Sequence, residues 1–302
     1  MARIVGEVAK IWRYPIKSTG GETVPRSDVD RRGIVGDRLY AVRDSRGKYG
    51  SGKNTRRFRR MEGLLHLSSR YLGETAEPLL LDARNRPVAD PVGHLRRWLD
   101  DEQVDLVRET DVSLFDQLPL SFVTTATMEW LQAALPDTPI DERRFRVNVL
   151  VRTPPGTPPF AEDEWLGFGA SIGPDLLVSF VRSSERCTMV NDAQRDLPYA
   201  PMVLRTVTRL HDNKLDALAV VERPGAIELG QPIILGRRAS GRACVPVPSV
   251  DHLSDAVDGA PMTDPVDEAG RPGLSPPGAL EARPFRVRPL RSSSGGRRGR
   301  GG

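Results

Sequence analysis

The stretch GASIGPDLLVSFVRSSERC, residues 169–187, decides how the second half of this chain is interpreted. A Gly-Pro turn is followed by an apolar, partly β-branched run, which predicts a turn and then a strand. The polar end of that strand carries Arg186 and Cys187, and the chain has only one other cysteine, Cys244. Cys187 is explained as a small buried residue, which is common for a free cysteine, or as a thiolate that binds a soft metal beside a guanidinium.

The composition favours an intracellular protein with many short strands. The 302 residues suffice for about two domains. Glycine (28) and proline (26) are plentiful and aromatic residues are few (6%), which favours strands and turns over long helices. Two cysteines do not form a disulfide framework, and the sequence shows neither a signal peptide nor an apolar run of roughly 20 residues. We therefore expect a cytoplasmic protein without a membrane partner.

The net positive charge of the chain lies in its C-terminal segment. The net charge is +4, and residues 237–302 contain 11 arginines, no lysine and 7 acidic residues, so residues 1–236 are neutral. A nucleic-acid function for the whole protein is therefore disfavoured, although the closing GGRRGRGG could bind RNA weakly. The regular apolar pattern fails after Leu235 and prolines follow, which predicts disorder over residues 238–302.

Short apolar runs separated by polar turns predict a mainly β (α+β) fold with few short helices. In the first half, LYAV, DSRG and KYG predict a hairpin with its turn at Gly47, and DPVGHLRRWLDDE predicts a helix. In the second half, LPLSFVTT predicts a strand and TATMEWLQAALPD a helix that Thr125 or Thr127 caps and Pro136 ends. APMVLRTVTRLHD predicts a third helix. We expect domains at residues 1–108 and 109–237, followed by the tail at 238–302.

Several common kinds of site are disfavoured by the motifs. The sequence has no GxxxxGK[ST] phosphate loop and no GxGxxG after a strand. It has no GxSxG elbow, and its four histidines have no zinc-ligand spacing with a cysteine. What remains is a series of basic and hydroxyl residues at strand ends.

Lysine, arginine and hydroxyl side chains recur in positions that suit an anionic ligand. Lys17 and Ser18 follow a proline turn in YPIKST, and Arg38 precedes a strand in VGDR. Arg144, Arg146 and Asn148 alternate in RRFRVN, which predicts that they share one strand face. Taken singly, each is also explained by an ordinary turn or a solvated strand face.

The order of these segments resembles the MOSC family, the domain shared by molybdenum cofactor sulfurases and the mitochondrial amidoxime-reducing component. The segments that carry the resemblance cover nearly all of residues 1–236: RYPIKSTGGE, GIVGDRLYAVRDSRG, FDQLPLSFVTTATMEWL, RRFRVNVLV, FAEDEWLGF, ERCTMV and PGAIELGQPIIL. The resemblance implies a MOSC-type β-barrel preceded by an N-terminal β-barrel domain.

The resemblance also implies a cofactor, the molybdenum cofactor (Mo-molybdopterin), and a set of site residues. Cys187 would supply a protein sulfur to molybdenum and, with Asp163, belong to the catalytic site. The implied cofactor-binding residues are Lys17, Ser18, Arg38, Thr124, Arg146, Asn148 and Arg186.

This chain departs from the family pattern at three positions. Glu185 stands where a small or hydroxyl residue is usual, and its charge lies near an anionic cofactor. Val147 replaces a proline and Gln231 replaces an aspartate. The basic run RRFRR, residues 56–60, is either a solvated face or a docking surface for an acidic partner.

The resemblance implies an oxidoreductase that reduces small N-hydroxylated compounds such as amidoximes. The alternative within the family is a sulfur carrier or sulfurtransferase that uses a persulfide. Pyridoxal phosphate belongs only to the family-level description, because this chain is too short for the desulfurase domain. No four-cysteine cluster is present, so we expect a separate electron-donor protein. A non-catalytic module that binds through its Arg/Gly tail is the alternative of another class.

Overall fold

The fold comes from a computed structural model, which describes residues 2–73, 77–111 and 113–238. The described strands are β1 (Arg3–Arg13), β2 (Glu22–Thr23), β3 (Arg26–Asp30), β4 (Gly33–Ile34), β5 (Tyr40–Arg43), β6 (Tyr49–Ser51), β7 (Phe58–Arg60), β8 (Ser68–Arg70), β9 (Leu79–Leu81), β10 (Asp105–Arg108), β11 (Leu120–Thr124), β12 (Val149–Arg152), β13 (Phe168–Ile172), β14 (Leu176–Glu185), β15 (Lys214–Arg223), β16 (Gly225–Glu228) and β17 (Pro232–Arg238). The α-helices in the same residues are α1 (Pro91–Leu99), α2 (Thr125–Ala134) and α3 (Met202–His211). The tail predicted to be disordered lies outside the described residues, except that Arg238 ends β17.

Seven strands form a closed barrel in the order β12-β11-β15-β14-β13-β17-β1, and β1 pairs back with β12. All neighbours are antiparallel except β11 and β12, which are parallel. Ile11 of β1 lies opposite Val149 of β12, and Ile4 lies opposite Ile234 of β17. The first strand of the chain therefore completes a barrel built from the second half, and the mainly β fold is confirmed.

The opening stretch of the sequence supplies two neighbouring strands of this barrel. Residues 168–172 form β13, residues 173–175 turn, and β14 follows. Leu176, Val178 and Phe180 alternate with more exposed residues and are buried in the main core. Phe180 packs edge-on against Phe122 of β11, with ring centroids 5.2 Å apart. Each such side chain contributes about 1.5–3 kcal/mol when fully buried.

Most of the remaining strands form smaller sheets. The largest of these orders its strands β10-β5-β6-β7, a second orders them β16-β3-β4, and β8 pairs with β9. The hairpin of β5 and β6 is confirmed, with Gly47 of its turn at φ 77°. That positive φ is why a glycine suits the turn. The boundary between residues 108 and 109 stays a prediction.

The three predicted helices are present, but two local predictions are wrong. Thr124, rather than Thr125 or Thr127, caps α2, because its hydroxyl accepts a hydrogen bond from the Thr127 backbone N–H at 3.1 Å. RRFRVN does not form a strand: a 3₁₀ turn covers Glu142–Arg144, and Arg146 has φ 55°. Within the described parts of the chain, no helix combines the length and apolar character needed to cross a membrane.

Candidate functional site

A cleft opens where the turn after β1 meets the ends of several barrel strands. Its walls come from residues 17–18, 115–118, 145–148 and 184–189, among others. The ionisable and thiol-bearing side chains that line it are Lys17, Arg38, Lys53, Asp116, Arg146, Glu185, Arg186, Cys187 and Asp216. Cationic and anionic groups from both halves of the chain thus meet in one cavity.

The thiol of Cys187 lies in this cleft just beyond the end of β14. Cys187 precedes the 3₁₀ turn Thr188–Asn191, is partly buried and forms no disulfide. Its neighbour Arg186 turns towards the barrel wall, where its Nη1 donates to Ser184 Oγ at 2.7 Å and to Asp216 Oδ1 at 2.8 Å. Cys187 and Arg186 therefore both line the cleft, and the barrel holds the Arg186 guanidinium in place.

Asp216, on β15, is a carboxyl group buried in the wall of the cleft. It is 1% exposed and its backbone has φ 63°. Burial raises the pKa of Asp216 to about 7, against the opposing effect of the Arg186 guanidinium. This carboxyl can therefore hold or release a proton near neutral pH.

Two guanidinium groups share the aromatic ring of Tyr14. The Cζ atoms of Arg38 and Arg146 lie 4.7 and 4.3 Å from the ring centroid, within cation–π range. Arg146 Nη1 donates to Thr19 O at 2.6 Å. Burial and the charge of Arg38 lower the pKa of the Arg146 guanidinium, which stays protonated at neutral pH. The pair forms a fixed cationic wall.

Two lysine side chains flank Asp116 in the cleft. Lys17 Nζ lies 2.6 Å from Asp116 Oδ2, and Lys53 Nζ lies 3.3 Å from Asp116 Oδ1. Burial lowers the pKa of Lys17 to about 8, although Asp116 opposes the shift. Loss of hydration would raise the pKa of Asp116, but the two ammonium groups outweigh it and hold that pKa well below its usual range.

Several cleft groups have unmet hydrogen-bonding capacity. Buried atoms without a partner in the described structure include Arg146 Nη2, Arg186 Nε and Asp216 Oδ2. Such atoms are costly to leave unpaired, so they mark places where a ligand would bind. Ser18, Arg38, Arg146 and Asp216 also have positive φ values of 64, 49, 55 and 63°. Left-handed backbone at residues other than glycine is strained and often occurs at functional sites.

The structure brings seven of the nine predicted site residues into the cleft. They are Lys17, Ser18, Arg38, Arg146, Asn148, Arg186 and Cys187. Their roles as ligands stay predictions, since proximity alone does not assign them.

Thr124 and Asp163 lie outside the cleft lining. Thr124 Oγ1 donates to the buried Glu162 at 2.9 Å, besides capping α2. Asp163 accepts a hydrogen bond from Ser183 Oγ at 2.9 Å and lies 2.8 Å from His211 Nε2. Capping and local pairing therefore engage both side chains, and their site roles stay predictions.

The other basic residues of the sequence analysis are engaged within the chain. Arg144 donates to Pro139 O, Asp192 O and Pro198 O instead of facing the cleft. In the run at residues 56–60, Arg57 donates to Ser113 O, Arg59 pairs with Asp44 and Asp101, and Arg60 pairs with Asp192. These contacts do not favour the docking-surface interpretation of that run.

Sequence reasoning missed five residues of the cleft and its wall: Tyr14, Asp37, Lys53, Asp116 and Asp216. Asp37 and Asp116 lie within the quoted segments GIVGDRLYAVRDSRG and FDQLPLSFVTTATMEWL, next to a candidate arginine and before a strand. Those positions were a usable signal. Asp216 lies in an ordinary strand pattern, and no sequence feature marked it as a residue of the cleft.

The cleft offers cationic hydrogen-bond donors and one thiol. Among the described residues no group of three or more His, Cys, Asp or Glu side chains gathers to hold a metal ion. One thiol is available beside cationic groups with unpaired donors. One sulfur donor and several cationic hydrogen-bond donors are thus available to an anionic ligand.

Comparisons with solved structures give distant likenesses. The structure of YuaD from Bacillus subtilis matches with a TM-score of 0.43 and 13% identity, over 78% of this chain and 98% of that one. YiiM from Geobacillus stearothermophilus matches with a TM-score of 0.32 and 18% identity, over 45% of this chain and 69% of that one. YiiM from Escherichia coli matches with a TM-score of 0.31 and 15% identity, over 41% of this chain and 57% of that one.

Family models match both halves of the chain, whereas no curated protein matches it. Residues 5–90 match the MOSC N-terminal beta barrel domain, and residues 109–234 match the MOSC domain. Together the two models span well over half of the sequence, in the order expected from the motifs. The chain therefore belongs to the MOSC domain family, with the MOSC N-terminal beta barrel domain preceding the MOSC domain.

Proposed function

We propose that the cleft binds the molybdenum cofactor and that the protein is a cytoplasmic oxidoreductase for small N-hydroxylated compounds. Its electrons would come from a separate donor protein. The observation that carries the proposal is the juxtaposition of the Cys187 thiol with a cationic wall whose Arg146 Nη2 has no partner among the described residues. A phosphate needs such donors, and a soft metal favours a thiolate.

The residues of the cleft divide into binding and proton-holding groups. Lys17, Ser18, Arg38 and Arg146 would hold the phosphate and pterin, and Cys187 would ligate the metal. The bound cofactor would supply the two-electron redox chemistry.

Reduction of an N–OH group to N–H consumes two electrons and two protons and releases water. Asp216 lines the same cleft, and its raised pKa of about 7 lets it hold a proton near neutral pH. In this proposal Asp216 supplies one of the two protons.

The partly buried thiol also favours a second candidate function. Cys187 has no disulfide partner and lies in the cleft lining. A persulfide on this sulfur would make the protein a carrier or donor of sulfur for the cofactor.

Reduction of an aromatic amidoxime by molybdenum-loaded protein tests the proposal. We expect turnover with a reduced viologen dye and none with NADPH alone, since the proposal assigns electron delivery to a separate donor protein. Cys187→Ser should abolish turnover, and Cys244→Ser serves as the matched control. Loaded protein that reduces no N-hydroxylated compound would contradict the proposal, and a persulfide on Cys187 would then favour sulfur transfer.

A further inference from the structure

Asp37 is a buried carboxylate immediately behind the cleft. It lies in the turn between β4 and β5, is 0% exposed and does not line the cleft. Asp37 Oδ1 accepts a hydrogen bond from the Tyr14 backbone N–H at 2.7 Å. Asp37 Oδ2 accepts from Asn148 Nδ2 at 3.0 Å and from Arg38 Nη1. The carboxylate therefore meets only donors, and these come from both halves of the chain.

These contacts determine how Arg38 faces the cleft. One side of its guanidinium is held by Asp37, and its Nη2 donates to Arg146 O at 2.8 Å. The same guanidinium lies over the Tyr14 ring, 4.7 Å from the centroid. With three partners fixed, the guanidinium has one orientation before any ligand arrives, so little rotamer entropy remains to be lost on binding.

Asp37 also balances charge where two guanidinium groups crowd one ring. Arg38 and Arg146 both contact Tyr14, and the charge of Arg38 lowers the pKa of Arg146. Two like charges held together in a buried wall need a nearby anion. In the described structure, Asp37 is the buried carboxylate bound directly to Arg38.

We propose that Asp37 is a positioning residue: its carboxylate holds Arg38 in the orientation in which the cleft binds a phosphate group. This inference rests on the proposed function only in taking the cleft as the anion site. Asp37 acts through Arg38 and does not touch the ligand.

Inorganic phosphate binding to cofactor-free protein tests the inference. In Asp37→Asn the new amide presents a donor where Arg38 and Asn148 also donate, so we expect phosphate affinity to fall about tenfold or more. Asp44→Asn is the matched control: Asp44 is also buried, at 5% exposed, but it accepts from its own hairpin turn at Arg46 and Lys48. That variant should lose stability without losing phosphate affinity.

A double-mutant cycle separates positioning from a general structural effect. If Asp37 acts through Arg38, then Asp37→Asn should weaken phosphate binding little further in an Arg38→Gln background. Full additivity, or unchanged affinity in Asp37→Asn, would overturn the inference, as would wild-type protein that binds no phosphate. If Asp37→Asn does not fold, Asp37→Ser gives a second comparison, since it removes the carboxylate without placing a new amide donor against Arg38.

The outcome is distinguishable from that of the proposed function. Phosphate binding that depends on Asp37, in a protein that takes up no molybdenum, would support this inference while the cofactor proposal fails. If the protein takes up molybdenum but its phosphate affinity does not depend on Asp37, the cofactor proposal is supported and the inference about Asp37 fails.

Discussion

At the scale of single residues, backbone conformation decides which side chains reach the cleft. The 3₁₀ turn Glu142–Arg144 and the left-handed backbone of Arg146, with φ 55°, together replace the alternation that RRFRVN predicts. Arg144 therefore faces carbonyl groups elsewhere, while Arg146 lies over Tyr14. A period-two pattern carries no information about such a break.

Lys17 gives the cleft a pH dependence whose sign follows from burial. Its pKa is lowered to about 8, so its ammonium group is charged below that pH and neutral above it. We expect the cleft's affinity for sulfate, whose own charge is constant in this range, to fall roughly tenfold from pH 7 to pH 9.5. Titration of cofactor-free protein with sulfate at both pH values measures the change.

Asp216 lines the same cleft and has a pKa of about 7, so it also ionises as the pH rises. Two variants separate its effect from that of Lys17. Lys17→Met should bind sulfate weakly at both pH values, whereas Lys53→Met should keep the decrease because Lys17 remains. Equal wild-type affinity at pH 7 and pH 9.5 would show that Lys17 does not act on the bound anion.

The sequence identified the cationic residues of the cleft better than their counter-ions. Lys17, Arg38 and Arg146 stand out as basic residues at strand ends, and they lie where an anion would bind. Asp37 and Asp116 pair with them, but an acidic residue in a turn is usually solvated. Only tertiary contact shows that these two carboxylates face ammonium and guanidinium groups.

At the scale of elements, residues that end a strand or begin a helix were the hardest to interpret. The sequence predicts β14 and α2 correctly, because alternation and helical periodicity extend over many residues. It places the cap of α2 one or more residues late, and it assigns Thr124 to the cofactor. In the structure the Thr124 hydroxyl serves the helix and the buried Glu162.

Thr124→Ala should therefore reduce stability and leave the cleft intact. The loss of a helix cap and of one hydrogen bond to a buried carboxyl predicts a decrease of about 2 kcal/mol in the free energy of unfolding. Denaturant unfolding of the wild type and the variant measures it.

Thr124→Ser keeps the hydroxyl and is the matched control, with stability close to that of the wild type. If Thr124→Ala instead lost cofactor while keeping wild-type stability, Thr124 would be a binding residue after all.

At the scale of the whole molecule, β1 joins the two halves of the chain. It closes the barrel between β12 and β17, and Lys17 and Ser18 follow it directly into the cleft. The order of motifs predicted the family and the mainly β fold, because short apolar runs separated by turns are visible in the sequence. Strand order and closure depend on long-range pairing, which local patterns do not specify.

The most direct test of the central claim is the molybdenum and pterin content of protein purified from a host that makes the cofactor. We expect near-stoichiometric molybdenum in the wild type and in Cys244→Ser, and loss of the metal in Cys187→Ser. A wild-type protein with neither molybdenum nor pterin, or a Cys187→Ser variant that keeps its metal, would contradict it.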